Sequence, residues 1–178
     1  MLRIDVKSTE LWDEVNEEFY YVKRQTLSLE HSLVSISKWE SKWNKPFLTK
    51  EAKSDDETLD YIKCMTLTQN VNPLTYKALT KQDVDRIIEY IGAPMTATTF
   101  SEDKTTSKEI ITSEIIYYWM VALNIPFECQ KWHINRLLTL IKVCNIKNQP
   151  PKKMSKREIM DRNRALNDAR RRQHNTRG

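Results

Sequence analysis

Residues Ile110 to Asn145 read IITSEIIYYWMVALNIPFECQKWHINRLLTLIKVCN, the most apolar stretch of an otherwise polar chain. Apolar residues recur there at helical spacing in two groups, which are Ile111, Ile115, Tyr118, Trp119 and Ala122, then Ile134, Leu137, Leu138 and Ile141. Between the groups, Asn124-Ile125-Pro126 ends the first helix, because the residue before a proline avoids the helical region. A second helix is predicted to start near Pro126, and the two helices form a hairpin on which the other segments pack.

The composition favours helices around this hairpin. The chain has 178 residues, of which 30% are charged, and its only glycines are Gly92 and Gly178. A phosphate-cradling loop needs several glycines in one turn, so that class of site is excluded. Glu114, Asn124 and Glu128 interrupt the most apolar stretch, so we expect no membrane span. We predict a mainly α protein.

The positive charge lies in the C-terminal tail. From Lys152 to Gly178 there are 10 Lys or Arg and 3 Asp or Glu, a net charge of +7. The whole chain carries +5, so residues 1–151 carry −2. The basicity is therefore a property of the tail.

Three parts follow from the patterns along the chain. Residues 1–31 form an N-terminal β element, in which Leu2, Ile4 and Val6 alternate with polar residues and 18–29 supplies a second strand. Residues 32–149 form a helical domain. Its further helices are predicted at Ser32–Trp43, Thr58–Leu67, Asn72–Leu79 and from a cap at Thr80 to Ile91.

Residues 150–178 form the third part, a basic C-terminal helix. Pro150-Pro151 breaks the backbone continuity, and Ser155 with Glu158 fits a capping box that restarts a helix to about Arg172. Apolar residues are few there, so we expect this helix to be separable and engaged with another chain.

Two pairs of side chains have the spacing or position of a metal or catalytic site, but each also has a structural explanation. Cys129 and His133 lie one helical turn apart, as zinc ligands do, but zinc needs about four ligands and only Cys144 is near. A packed thiol beside a hydrogen-bonded histidine is the favoured alternative. Glu114 and Glu128 lie on the two central helices, where salt-bridged carboxylates are favoured over a catalytic pair. We predict no catalytic residue, metal or cofactor, and no enzymatic activity.

Two groups of residues favour binding. Trp43 and Phe47 lie at a helix end and in the loop around Pro46, where we expect partial exposure and a partner site. The tail offers Arg162, Arg170, Arg171 and Arg172. These arginines suit phosphates or an acidic protein surface, or a solvated helix with internal ion pairs. We favour a protein partner over nucleic acid, because the tail lacks aromatic residues that stack on bases.

Several phrases of the sequence resemble the tail assembly chaperones of long-tailed bacteriophages. They are residues 32–43 (SLVSISKWESKW) followed by 46–48 (PFL), 94–98 (PMTAT), 114–120 (EIIYYWM), 125–133 (IPFECQKWH), 135–138 (NRLL), 146–153 (IKNQPPKK), and the ending 170–172 (RRR) with 176–178 (TRG). The resemblance covers most of the chain, and none of these phrases has a catalytic rationale.

The resemblance implies a helical, non-enzymatic protein of the host cell cytoplasm. Such a protein keeps the tape measure protein soluble and helps recruit tail tube protein subunits around it, with self-association possible in principle. Trp39, Trp43 and Phe47 would anchor the partner, because tryptophan and other aromatic side chains are common interface hot spots. The alternatives are a structural tail or neck component of the virion and a basic-tailed nucleic-acid-binding adaptor.

Overall fold

The computed structural model describes residues 1–13, 17–100, 110–150 and 155–175. The strands are β1 (Leu2–Val6), β2 (Thr9–Asp13), β3 (Glu18–Val22) and β4 (Gln25–Leu29). The α-helices are α1 (Leu33–Trp43), α2 (Asp55–Met65), α3 (Pro73–Lys77), α4 (Lys81–Gly92), α5 (Ser113–Ala122), α6 (Ile134–Asn148) and α7 (Lys156–His174), and a 3₁₀ helix (Phe127–Lys131) precedes α6. A mainly α fold with a small N-terminal β-hairpin is confirmed at this level.

The chain divides into two compact units, Met1–Asn145 and Ile146–Gly178. The division falls in the last turn of α6, so it lies slightly before the predicted start of the tail at residue 150. It also joins the predicted β element and helical domain into one unit. The reason is that buried residues of β1 and β4, such as Ile4 and Leu27, belong to the same apolar cluster as those of α1.

The N-terminal β-hairpin has two antiparallel sections. β1 pairs with β4 from Leu2 opposite Leu29 to Val6 opposite Gln25. β2 pairs with β3. The predicted second strand, 18–29, is therefore divided into β3 and β4, and β2 follows the predicted first strand. The predicted connection at 13–17 includes residues 14–16, which lie outside the described part of the chain.

Helix α1 lies at the centre of the core. Its N-terminus is fixed by a capping box, in which the Ser35 backbone N–H donates to the Ser32 hydroxyl and the Ser32 N–H donates to the Ser35 hydroxyl. Leu33, Ile36 and Trp39 are almost completely buried. Because α1 packs against α2, α5 and the 3₁₀ helix, the core is centred on α1 instead of on the stretch 110–145.

Other helix starts also follow their capping residues. Ser54 and Glu57 form a capping box, so α2 begins at Asp55, three residues before the predicted Thr58. Thr80 and Asp83 form another, as the predicted cap at Thr80 requires. The acidic residues before Thr58 therefore lie inside the first turn of α2, where the helix dipole favours negative charge.

The buried face of α5 differs from the predicted one. Ser113, Ile116 and Met120 are buried, whereas Tyr118 is 68% exposed and Trp119 is only partly buried. The predicted stripe is wrong because almost every residue of α5 is apolar, so hydrophobicity alone cannot define which side faces the core.

The second central helix begins later than predicted. Pro126 is followed by the 3₁₀ helix, and α6 starts at Ile134. The Ile134 backbone N–H donates to the His31 carbonyl at 2.7 Å, which fixes this start beside the end of β4. The buried positions on α6 are Ile134, Leu137 and Ile141, and Leu138 of the predicted stripe is partly buried.

Candidate protein-binding surfaces

Trp39 and Phe47, two of the three predicted aromatic anchors, are core residues. Trp39 is 1% exposed and Phe47 is 8% exposed. The Phe47 ring stacks on Tyr61 with their centroids 3.9 Å apart, and the Trp39 indole N–H donates to the Glu57 carbonyl at 2.9 Å. The prediction that Phe47 is exposed is wrong, and neither residue is available to a partner in this fold.

Trp43 is half-buried at the end of α1. Its indole N–H donates to Asp60 Oδ2 at 3.0 Å, and its ring stacks at 6.1 Å from that of Trp39. The Lys42 ammonium binds the other oxygen of the same carboxylate. Trp43 therefore joins α1 to α2, and its exposed edge alone is a small contact surface.

A buried carboxylate, Glu40, explains why the loop after α1 folds inward. Glu40 is 7% exposed, and its two oxygens accept backbone N–H groups from Phe47 at 2.7 Å and from Ser113 at 2.8 Å. Glu40 is not among the residues predicted from the sequence to have a functional role. Its signal is its spacing, because Leu33, Ile36 and Glu40 step by three and four along one helical face.

Beside Glu40 lies an open depression of about 310 Å³. Lys45 and Glu114 contribute to its lining, and hydrogen bonds from backbone and neighbouring hydroxyl groups lower the pKa of the Glu114 carboxyl. Glu128 is exposed on the 3₁₀ helix and does not line this depression. The two carboxylates considered as a catalytic pair are therefore not brought together there.

Two histidines are buried where the end of β4 meets α6. His31 Nδ1 lies 2.5 Å from the Tyr61 hydroxyl, and the rings of His31 and His133 meet edge to face with centroids 5.0 Å apart. Burial lowers the pKa of His31 from 6.5 to about 3, and the adjacent His133 adds to the effect. Burial also lowers the pKa of His133. Both imidazoles are thus neutral at pH 7 and act as packing and hydrogen-bonding groups.

His133 has the role expected for a structural histidine. Its Nε2–H donates to the Tyr90 carbonyl at 3.0 Å, and its Nδ1 accepts the Asn135 backbone N–H at 3.3 Å. With both ring nitrogens engaged, His133 has no lone pair to offer a metal beside Cys129. Among the described residues, no group of three or more His, Cys, Asp or Glu side chains could hold a metal ion.

A first exposed apolar surface lies on α5 and the 3₁₀ helix. We call Tyr118, Val121 and Phe127 the α5 surface; they are 68%, 60% and 51% exposed. Tyr118 and Val121 lie three residues apart and so are neighbours on one side of α5. The ring of Tyr117, whose hydroxyl donates to Gln130, lies 6.4 Å from that of Phe127 and links the 3₁₀ helix to α5. The sequence carries a signal for this surface, because a helix that is apolar on almost every side and buries one face must expose other apolar residues.

A second exposed surface lies on the outer section of the β-hairpin. We call the described residues 8–13 and 17–22 the acidic arm: they contain four Asp or Glu and no Lys or Arg. Trp12, Phe19 and Tyr21 are 51%, 67% and 61% exposed. Trp12 and Phe19 are directly opposite each other across the strands, with ring centroids 4.8 Å apart. Within the described residues, β2 and β3 form a two-stranded sheet whose outer edges pair with no other strand.

The predicted arginines lie on α7, in the second unit. The helix starts at a capping box, with the Ser155 backbone N–H donating to Glu158 Oε2 at 2.7 Å. Arg170, Arg171 and Arg172 project in successive directions about 100° apart, so they surround the last turns of α7 instead of sharing one face with Arg162. None of the described α7 residues is buried.

Comparison of the chain with protein-family models, with curated proteins and with solved structures found no match. In the part of the chain that the structure describes, no helix is both long and apolar enough to cross a membrane. Any functional conclusion therefore depends on the residues and surfaces described above.

Proposed function

We propose that this protein is a non-enzymatic tail assembly chaperone of a long-tailed bacteriophage. In the host cell cytoplasm it keeps the tape measure protein soluble and helps recruit tail tube protein subunits. The observation that carries the proposal is the α5 surface, where Tyr118, Val121 and Phe127 expose large apolar side chains. The sequence phrases that resemble this family support the same role.

A tape measure helix exposes apolar stripes along its length, and an exposed apolar helix face provides a matching contact. Tyrosine is enriched among residues that contribute most to protein interfaces. Tyr118 thus takes the anchoring role that the sequence analysis assigned to Trp39 and Phe47, which the core already uses. In this proposal α5 and the 3₁₀ helix present the surface, and basic α7 makes separate contacts.

Co-expression with the long tape-measure-like protein of the same phage tests the proposal. Val121→Glu places a charge on the α5 surface, and we expect the tape measure protein to move from the soluble fraction to the pellet. Ile88→Glu is the matched control, because Ile88 is 55% exposed on α4 and its substitution should have no effect. Equal solubility with the parent and Val121→Glu proteins would contradict the proposal.

A structural tail or neck component is the second candidate. The exposed edges of β2 and β3 favour it, because they could add to the sheet of a neighbouring subunit. Quantitative mass spectrometry of purified virions separates the two roles. A chaperone is absent from mature particles, whereas a structural component is present at a fixed number of copies.

A further inference from the structure

The acidic arm and α7 are opposite in charge and similar in exposure. The described arm residues carry a net charge of −4, and the described residues 155–175, with seven Lys or Arg and three Asp or Glu, carry +4. The arm exposes Trp12, Phe19 and Tyr21, which share a face with Glu10 because Glu10 is paired with Tyr21 and Trp12 with Phe19. This face of the arm therefore combines an aromatic platform with the Glu10 carboxylate.

Helix α7 has the matching chemistry. Ile159, Met160 and Leu166 are 44%, 71% and 46% exposed, and arginines are interspersed among them. Ile159 and Leu166 are seven residues apart and so lie on one side of the helix. An isolated helix with so little apolar area is marginally stable in water, so a partner that covers this side would stabilise it.

We propose that the acidic arm of one copy binds α7 of a second copy of this chain. Apolar α7 side chains lie on the aromatic face of the arm, and arginines contact its carboxylates through charge-assisted hydrogen bonds and its rings through cation–π contacts. Because each chain carries both elements, two copies satisfy both arms and both helices in one reciprocal, two-fold interface. This inference does not depend on the tape measure protein.

Sedimentation equilibrium of the purified full-length chain tests the proposal. We expect a reversible dimer that weakens as salt increases, because exposed opposite charges are screened. The arm variant Glu10→Lys, on the aromatic face, should weaken dimerisation at least tenfold. Its matched control is Glu89→Lys, which changes the net charge equally at an exposed position of α4 and should dimerise like the parent. A monomeric parent chain, or equal weakening by the control, would overturn the proposal.

Mixing two full-length variants distinguishes contact between copies from contact within one copy. The arm variant retains a normal α7, and Arg170→Glu/Arg171→Glu retains a normal arm. Each variant alone should dimerise at least tenfold more weakly than the parent, and the mixture should associate more strongly than either variant alone, because one arm and one helix remain compatible. If the mixture associates no more strongly than the single variants, no contact between copies joins these elements. If duplex DNA binds α7 while the tail variant still dimerises, α7 is a nucleic-acid element and the proposal is wrong.

Discussion

The side chain of Glu40 accepts hydrogen bonds from the backbones of two regions, one around Phe47 and one at the start of α5. Phe47 is buried, whereas Tyr118 in α5 is exposed. Phe47 follows a proline in a loop and is 8% exposed, whereas Tyr118 lies within a helix and is 68% exposed. Glu40 binds the Phe47 backbone through one oxygen and the Ser113 backbone at the start of α5 through the other. The type of local element thus does not decide burial here. Phe47 is buried because it packs on Trp39 and Tyr61, whereas Tyr118 lies outside the buried side of α5.

The largest expected effect is on stability. A substitution beside Phe47 should destabilise the protein strongly, whereas one at Tyr118 should not. Trp39→Ala should lower the free energy of unfolding by about 3–5 kcal/mol, because it leaves a cavity under the loop. Tyr118→Ala should change it by less than about 0.5 kcal/mol, as surface substitutions usually do. Urea unfolding of both variants measures the difference. Similar losses for both would mean that α5 packs differently.

The second effect is the loss of stability expected when the Glu40 carboxylate is removed. Glu40→Ala leaves two backbone N–H groups without an acceptor, each costing about 1–3 kcal/mol when buried. We expect a total loss of about 2–5 kcal/mol, and a smaller loss for Glu40→Gln, which keeps one acceptor oxygen. Glu89→Ala, at an exposed position of α4, is the control and should be nearly neutral. If Glu40→Ala is also neutral, water replaces the carboxylate and the comparison above fails.

The two regions also show which features a sequence reveals. Capping boxes at Thr80 and Ser155 depend on residues three apart, so their local pattern predicts them and the structure contains both. The buried face of α5 depends on its packing against α1, where a hydrogen bond also joins Ser113 to Glu40, 73 residues away. No periodicity within α5 carries that information. The α5 surface could be anticipated as an excess of apolar residues, but its members could not be named.

The third effect is a pH dependence of the free energy of unfolding. It arises from His31, whose ring lies 6.1 Å from that of Phe47. His31 has a pKa of about 3 in the folded protein and about 6.5 when unfolded, so the unfolded chain binds the additional proton between these values. Stability is therefore full above pH 6.5 and falls as the pH decreases, by about 1.4 kcal/mol per unit at the limiting slope. Burial lowers the pKa of His133 too, although Tyr90 and Glu30 oppose that shift.

Urea unfolding at pH 7.0, 6.0 and 5.5 measures this dependence, in a range above the titration of ordinary carboxylates. His31→Gln removes one titrating group and should reduce the slope, even if it lowers stability at pH 7.0. His174→Gln, at an exposed position of α7, is the control for the chemical change from histidine to glutamine. An unchanged slope for His31→Gln would show that its imidazole does not remain neutral in the folded state.

The smallest expected effect comes from the second unit. None of the described α7 residues is buried, in contrast to the buried Ile134, Leu137 and Ile141 of α6. Deleting residues 152–178 therefore removes little buried apolar area, and we expect the thermal midpoint to change by no more than about 2 °C, equivalent to about 0.5–1 kcal/mol for a chain of this size. Calorimetry measures the midpoint, and partner binding is measured on the same sample. A large fall in the midpoint would make α7 part of the fold, whereas unchanged assembly would separate α7 from any role in binding. Only an unchanged midpoint with weakened assembly fits a helix that is stabilised by another chain.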